Sequence, residues 1–128
     1  MSKNFQNKIT LNFYCELYYY PVKINFYKNH KMYANAWVKW SKKHKIWTIN
    51  FNLKYCNDKT YIHGTIAHEC LHYINRVLSD RGIIYKLGKI SHHKGDEAHA
   101  AFMSWLVNSI YFHINNHEEL KKYLDSNL

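Results

Sequence analysis

The chain has 128 residues, with 18 Lys plus Arg against 9 Asp plus Glu and 10 His, for a formal net charge of +9 with His neutral. One domain spanning 1–128 is expected at that length, and 47% hydrophobic and 17% aromatic residues with one Pro and four Gly exclude a disordered or collagen-like chain. No run approaches the roughly 18 apolar residues of a membrane-spanning helix, residues 1–10 are polar and unlike a secretory signal, and Cys15, Cys56 and Cys70 are too irregular for a disulfide framework, so a cytoplasmic protein with free thiols and no membrane partner is expected.

The first segment reads two ways. Phe5, Ile9, Phe13 and Leu17 recur every four residues, as on a helix, while Ile9, Leu11, Phe13, Cys15 and Leu17 alternate, as in a strand. Pro21 ends either element. Val22, Ile24 and Phe26 then alternate with Lys23 and Asn25. Ala34, Ala36, Val38 and Trp40 alternate with Asn35, Trp37 and Lys39, and Trp47, Ile49, Phe51 and Leu53 with Thr48, Asn50 and Asn52. The polar stretch Ser41 to Lys45 suits a hairpin tip between the last two. Three antiparallel strands are predicted, at 22–26, 33–40 and 46–53.

Asp58 or Thr60 can cap a helix that gathers Ile62, Ile66, Tyr73, Ile74 and Val77 on one side, with Gly82 as its stop. Residues 83–95 read as a connection. A second helix is predicted from Asp96, as cap, through Phe102, Trp105, Leu106 and Ile110 to about Ile114, and residues 115–128 add an amphipathic turn or two. The fold class is α+β: a small antiparallel sheet of about three strands packed on two helices.

Inside the first helix stands His68-Glu69-Cys70-Leu71-His72, an H-E-x-x-H pattern. Residues four apart on a helix point the same way, so His68 and His72 can each offer an imidazole nitrogen to one zinc. Glu69 lies about 100° around, placed to act on water as a general base without being a ligand. Chance would yield this pattern roughly 0.03 times in a chain of this composition. Gly64, Thr65, Asn75 and Ser79, with Tyr61, are small or polar residues flanking the histidines, and they leave room for a metal.

A catalytic zinc takes three protein ligands and keeps an open position. The candidates for the third are His92, His93, Asp96, Glu97 and His99. Glu97 is favoured, because Ala98, Ala100 and Ala101 let its helix approach closely. His92 or His93 on the connection is the alternative. His99 lies about 160° from Glu97, so the two cannot share one metal from a regular helix. His30, His44, His63, His113 and His117 have no partner pattern and read as solvated or structurally satisfied.

At these residues the chain resembles the zincin metallopeptidases, most closely the minimal gluzincins and small metallopeptidase-like proteins of bacteria and phages. The order of elements over roughly 20–112 and the HECLH motif carry the resemblance. It implies one zinc per chain held by His68, His72 and Glu97, with Glu69 as catalytic base. It also implies peptide-bond hydrolysis through a zinc-bound water, and a peptide or protein substrate paired along strand 33–40 or 46–53, whichever edge is free. The layout tilts residues 4–18 toward helix. Asn75 stands where metzincins have Gly, and Ala101 where gluzincins often have Asp. Tyr85, His92 and His93 lie where an oxyanion donor would be sought.

Two other classes fit some features. A SprT-like, nucleic-acid-associated zinc protein would use Lys39, Lys42, Lys43 and Lys45, interleaved with Trp37, Trp40 and Trp47, to meet phosphates and bases. A non-catalytic binding or adaptor domain would use zinc only to join its helices, with no need of a base at Glu69. The lysines read equally as surface residues of a chain rich in Lys, Asn, Ile and Tyr.

Overall fold

A computed structural model describes residues 7–56, 59–82 and 93–127. The ambiguous first segment is a strand, β1 (Lys8–Cys15), and not the helix implied by the zincin layout. The alternating set prevails because Ile9, Leu11 and Cys15 are buried together while Asn12 and Tyr14 between them stay exposed. β2 (Tyr20–Tyr27) runs back along it, from Cys15↔Tyr20 to Lys8↔Tyr27. The turn between them is tied to the rest of the chain by Arg81, whose guanidinium donates to the carbonyls of Tyr18 and Tyr19.

β3 (Ala36–Ser41) and β4 (Ile46–Asn52) form the expected hairpin, with β3 starting three residues later than the pattern suggested. Its tip closes through the Lys45 N–H on the Ser41 carbonyl at 2.7 Å and the His44 N–H on Ser41 Oγ at 3.2 Å. The sheet has four strands in the order β1-β2-β4-β3, and β2 lies parallel to β4, so it is mixed and not a three-stranded antiparallel sheet. Alternation reports which face a residue takes and leaves the neighbouring strand open. The burial of six of the seven β4 residues marks it as a central strand, with β3 at the edge.

The two sheet faces differ in chemistry. On one, Ile9, Phe26, Phe51 and Ala36 line up across the strands, and Leu11, Ile24, Ile49 and Val38 form the next row. On the other, Thr10 donates to Asn25 Oδ1 at 2.7 Å, and Asn25 Nδ2 donates to Asn50 Oδ1 at 2.9 Å. Asn50 Nδ2 in turn reaches the Trp37 carbonyl and Thr48 Oγ1. Asn25, Thr48 and Asn50 are buried, which is tolerable because they satisfy one another. Asn52, fully buried, organises the loop before β3: its Oδ1 accepts from the His30 N–H, and its Nδ2 donates to the carbonyls of His30 and Met32.

The apolar face is covered by helices. α1 (Lys59–Asp80) lies against β3 and β4. Thr60 falls inside α1 and so does not cap it, and Asp58 lies outside the described residues. Gly82, at φ 77, ends the helix as expected, with its N–H on the Ser79 carbonyl at 2.9 Å. The connection at 83–92 is outside the described residues. α2 (His93–Asn115) begins three residues before Asp96, so Asp96 is a helical residue and not the cap. The first turn of a helix needs no internal N–H partners, so residues 93–95 can extend it. α2 reaches β1 through Phe13, which packs on Trp105 and stacks on His113. α3 (Glu118–Asn127) buries Leu120 and Leu124, one turn apart, and is longer than the expected turn or two. No helix among the described residues is long and apolar enough to cross a membrane.

Two substitutions test this packing by chemical denaturation. Asn52→Ala removes three buried hydrogen bonds and is expected to cost about 2–3 kcal/mol. The Tyr73 hydroxyl is the one buried side-chain polar atom without a partner among the described residues, so Tyr73→Phe is expected to gain up to about 1 kcal/mol.

Candidate metal centre

The core fixes the orientation of α1. Ile62, Ile66, Cys70, Tyr73, Ile74, Val77 and Leu78 are buried, and this stripe turns residues 68 and 72 outward on the adjoining flank. The His68 and His72 rings meet edge to face, with their Nε2 atoms 3.2 Å apart. Two nitrogens bound to one tetrahedral zinc at 2.0–2.1 Å stand about 3.3 Å apart, so the pair is spaced to share a metal. One turn toward the N-terminus, Gly64 is exposed, and a side chain there would meet nothing within 4 Å.

Glu69 stands between the core and this flank. It is 6% exposed, and its Oε2 lies 3.9 Å from His68 Nε2. Burial pushes its carboxyl above the usual range, while the His68 and His72 imidazoles pull it back. A carboxylate raised in this way beside two imidazoles is suited to accept a proton. Thr65, one turn earlier, is buried and accepts a long 3.4 Å contact from Asn35 Nδ2, which links α1 to the loop before β3. Asn75 and Ser79 are exposed, as expected of residues flanking an open site.

The structure thus brings His68, Glu69 and His72 together. No group of three or more His, Cys, Asp or Glu that could hold a metal is found among the described residues. Glu97 is exposed on α2. The pairings of His63 with Tyr111 and of Tyr73 with Phe102 make α1 and α2 antiparallel and set their register. That register places Glu97 level with Val77 or Leu78, about 8 Å along the axis from the level of His72. His92 and Tyr85 lie outside the described residues, and only the backbone of His93 and Asp96, within α2, is described.

Of the six remaining histidines, His99 is half-buried on α2, and four of the other five have structural partners. The His63 Nδ1 and the Tyr111 hydroxyl share a hydrogen bond. His30 Nδ1 accepts from the Met32 N–H, His113 Nδ1 bonds the Ser109 carbonyl, and His117 Nδ1 accepts from the Leu120 N–H at the start of α3. His44 is exposed at the hairpin tip. The three cysteines are free and buried, as expected. Of the two strands expected to present a substrate edge, β4 is interior, and β3 has no further strand beside it among the described residues. The buried amide row on the far face of the sheet was not anticipated, although its polar positions are visible in the alternation of β2 and β4.

Compared with protein-family models, curated proteins and solved structures, the chain has no match.

Burial raises the Cys56 thiol to about 11 and the Cys70 thiol to about 12, so neither forms thiolate near neutrality. Iodoacetamide at pH 8 is therefore expected to leave Cys56 and Cys70 unmodified in the folded protein and to label them in denaturant, read by intact mass.

Proposed function

We propose that the chain is a zinc-dependent metallopeptidase of zincin type, with His68 and His72 as ligands and Glu69 as general base. The observation that carries this reading is the 3.2 Å separation of the two Nε2 atoms beside a buried carboxylate. The third protein ligand comes from the start of α2, as Glu97 or His93, or from His92 just before it. When bound, zinc supplies Lewis-acid polarisation of the scissile carbonyl and lowers the pKa of water toward about 7.

The chain's own groups do the rest. Glu69 accepts a proton from the attacking water and passes it to the leaving amine, and its raised pKa makes it the stronger base for the first of these transfers. His68 and His72 hold the metal on the exposed side of α1, open to a polymer substrate. β3, at the sheet edge and packed on α1, offers unpaired backbone groups with which an extended peptide pairs as an added strand. A zinc that merely joined the helices would have no use for a buried carboxylate beside the ligands.

Elemental analysis and a peptide-cleavage assay test this together. The wild type is expected to hold about one zinc per chain, lost in His68→Ala and His72→Ala. Among Glu97→Ala, His92→Ala and His93→Ala, the variant that loses zinc identifies the third ligand. Glu69→Gln is expected to keep its zinc and lose at least a hundredfold in kcat. Full activity in Glu69→Gln, or zinc unaffected by His72→Ala, overturns the assignment.

A further inference from the structure

The net charge is not spread over the molecule. Residues 1–56 hold ten Lys and one acid, Glu16, whereas residues 57–128 balance eight Lys plus Arg against eight Asp plus Glu. All nine units of positive charge therefore belong to the half of the chain that builds the sheet. A groove of about 540 Å³ runs across the sheet face opposite the helices. Its floor is the row of buried, mutually hydrogen-bonded Asn25, Thr48 and Asn50.

Four lysines surround that floor. Lys23 and Lys39 flank Thr48 in the register Lys23↔Thr48↔Lys39, which sets their Cα atoms about 10 Å apart, and Lys42 and Lys43 reach in from the hairpin tip. No carboxylate is among the described lining residues. Two aromatic rings lie on this face: Tyr27, which lines the groove, and Trp37, which sits opposite Asn50 and stacks with Tyr27 at 6.1 Å. Ammonium groups alone would suit any polyanion. Their combination with rings on an open sheet face suits a strand whose bases are unstacked and free to lie on those rings, whereas a duplex keeps its bases paired inside.

We propose that this face binds single-stranded nucleic acid, with Lys23, Lys39, Lys42 and Lys43 on the phosphates and Trp37 and Tyr27 under the bases. The face lies across the sheet from His68 and His72, so the inference is independent of metal binding.

Fluorescence anisotropy with a labelled oligothymidylate, titrated between 50 and 200 mM salt, tests it. Four phosphate contacts to a single strand give a slope of log affinity against log salt of about −2.8, a loss of about fiftyfold over that range. Lys42→Gln and Lys43→Gln, at an exposed tip where folding is not at stake, are each expected to flatten the slope by about 0.7. Trp37→Ala is expected to lose about tenfold in affinity with the slope unchanged, its fold checked by circular dichroism. Absence of binding at 50 mM salt overturns the proposal. Equal affinity for a duplex or for polyglutamate, with the lysine variants weakened and Trp37→Ala unaffected, overturns it in favour of a general polyanion surface.

Discussion

The packing of α1 against β3 and β4 is the constraint from which the rest follows. Ile66, Cys70, Tyr73, Ile74 and Val77 must face the sheet, and at 100° per residue that choice settles where every other side chain of the helix goes. Residues 68 and 72 fall on the flank and residue 69 on the border. Rotating α1 to hide the imidazoles would lift Ile66 and Cys70 into water, at a cost of about 2 kcal/mol for each large apolar side chain. The histidine pair therefore inherits its geometry from the core, and Glu69 owes its partial desolvation to the same packing.

The elements that could be read from residues alone were those with one dominant period. The motif helix, its Gly82 stop and the hairpin tip at Ser41 to Lys45 each have a local cause, in a buried stripe, a left-handed glycine and a polar turn. The first segment had two periods at once, and only its pairing with β2 decided between them. The place of β4 between β2 and β3 was hidden for a related reason: Thr48 and Asn50 look like solvent-facing residues, yet each is buried with a partner on a neighbouring strand. In the site, His68, Glu69 and His72 were legible because one helix holds all three. A third ligand depends on the register of α1 against α2, which no spacing within either helix encodes.

The far face of the sheet shows how a polar surface can be as ordered as a core. Its amides are matched in pairs, so the strands gain specific register from hydrogen bonds where they would otherwise have only side-chain alternation. A shift of β2 against β4 by one residue would separate Asn25 from Asn50 and set Phe26 opposite an asparagine. The same rows carry lysines at their ends, which keeps the face wetted and deters a second sheet from stacking on it.

The order of elements has a consequence for synthesis. Among the described residues, all four strands lie within the first 52, and the helices that cover their apolar face come after. On the ribosome the sheet segment is therefore complete while Ile24, Phe26, Ile49 and Phe51 still lack a cover, an interval in which nascent chains are exposed to intermolecular association. That is the stretch in which nine lysines face a single glutamate. Mutual repulsion between such segments holds neighbouring nascent chains apart until α1 emerges, so the uneven charge serves as a solubility device during translation as well as a property of the finished surface.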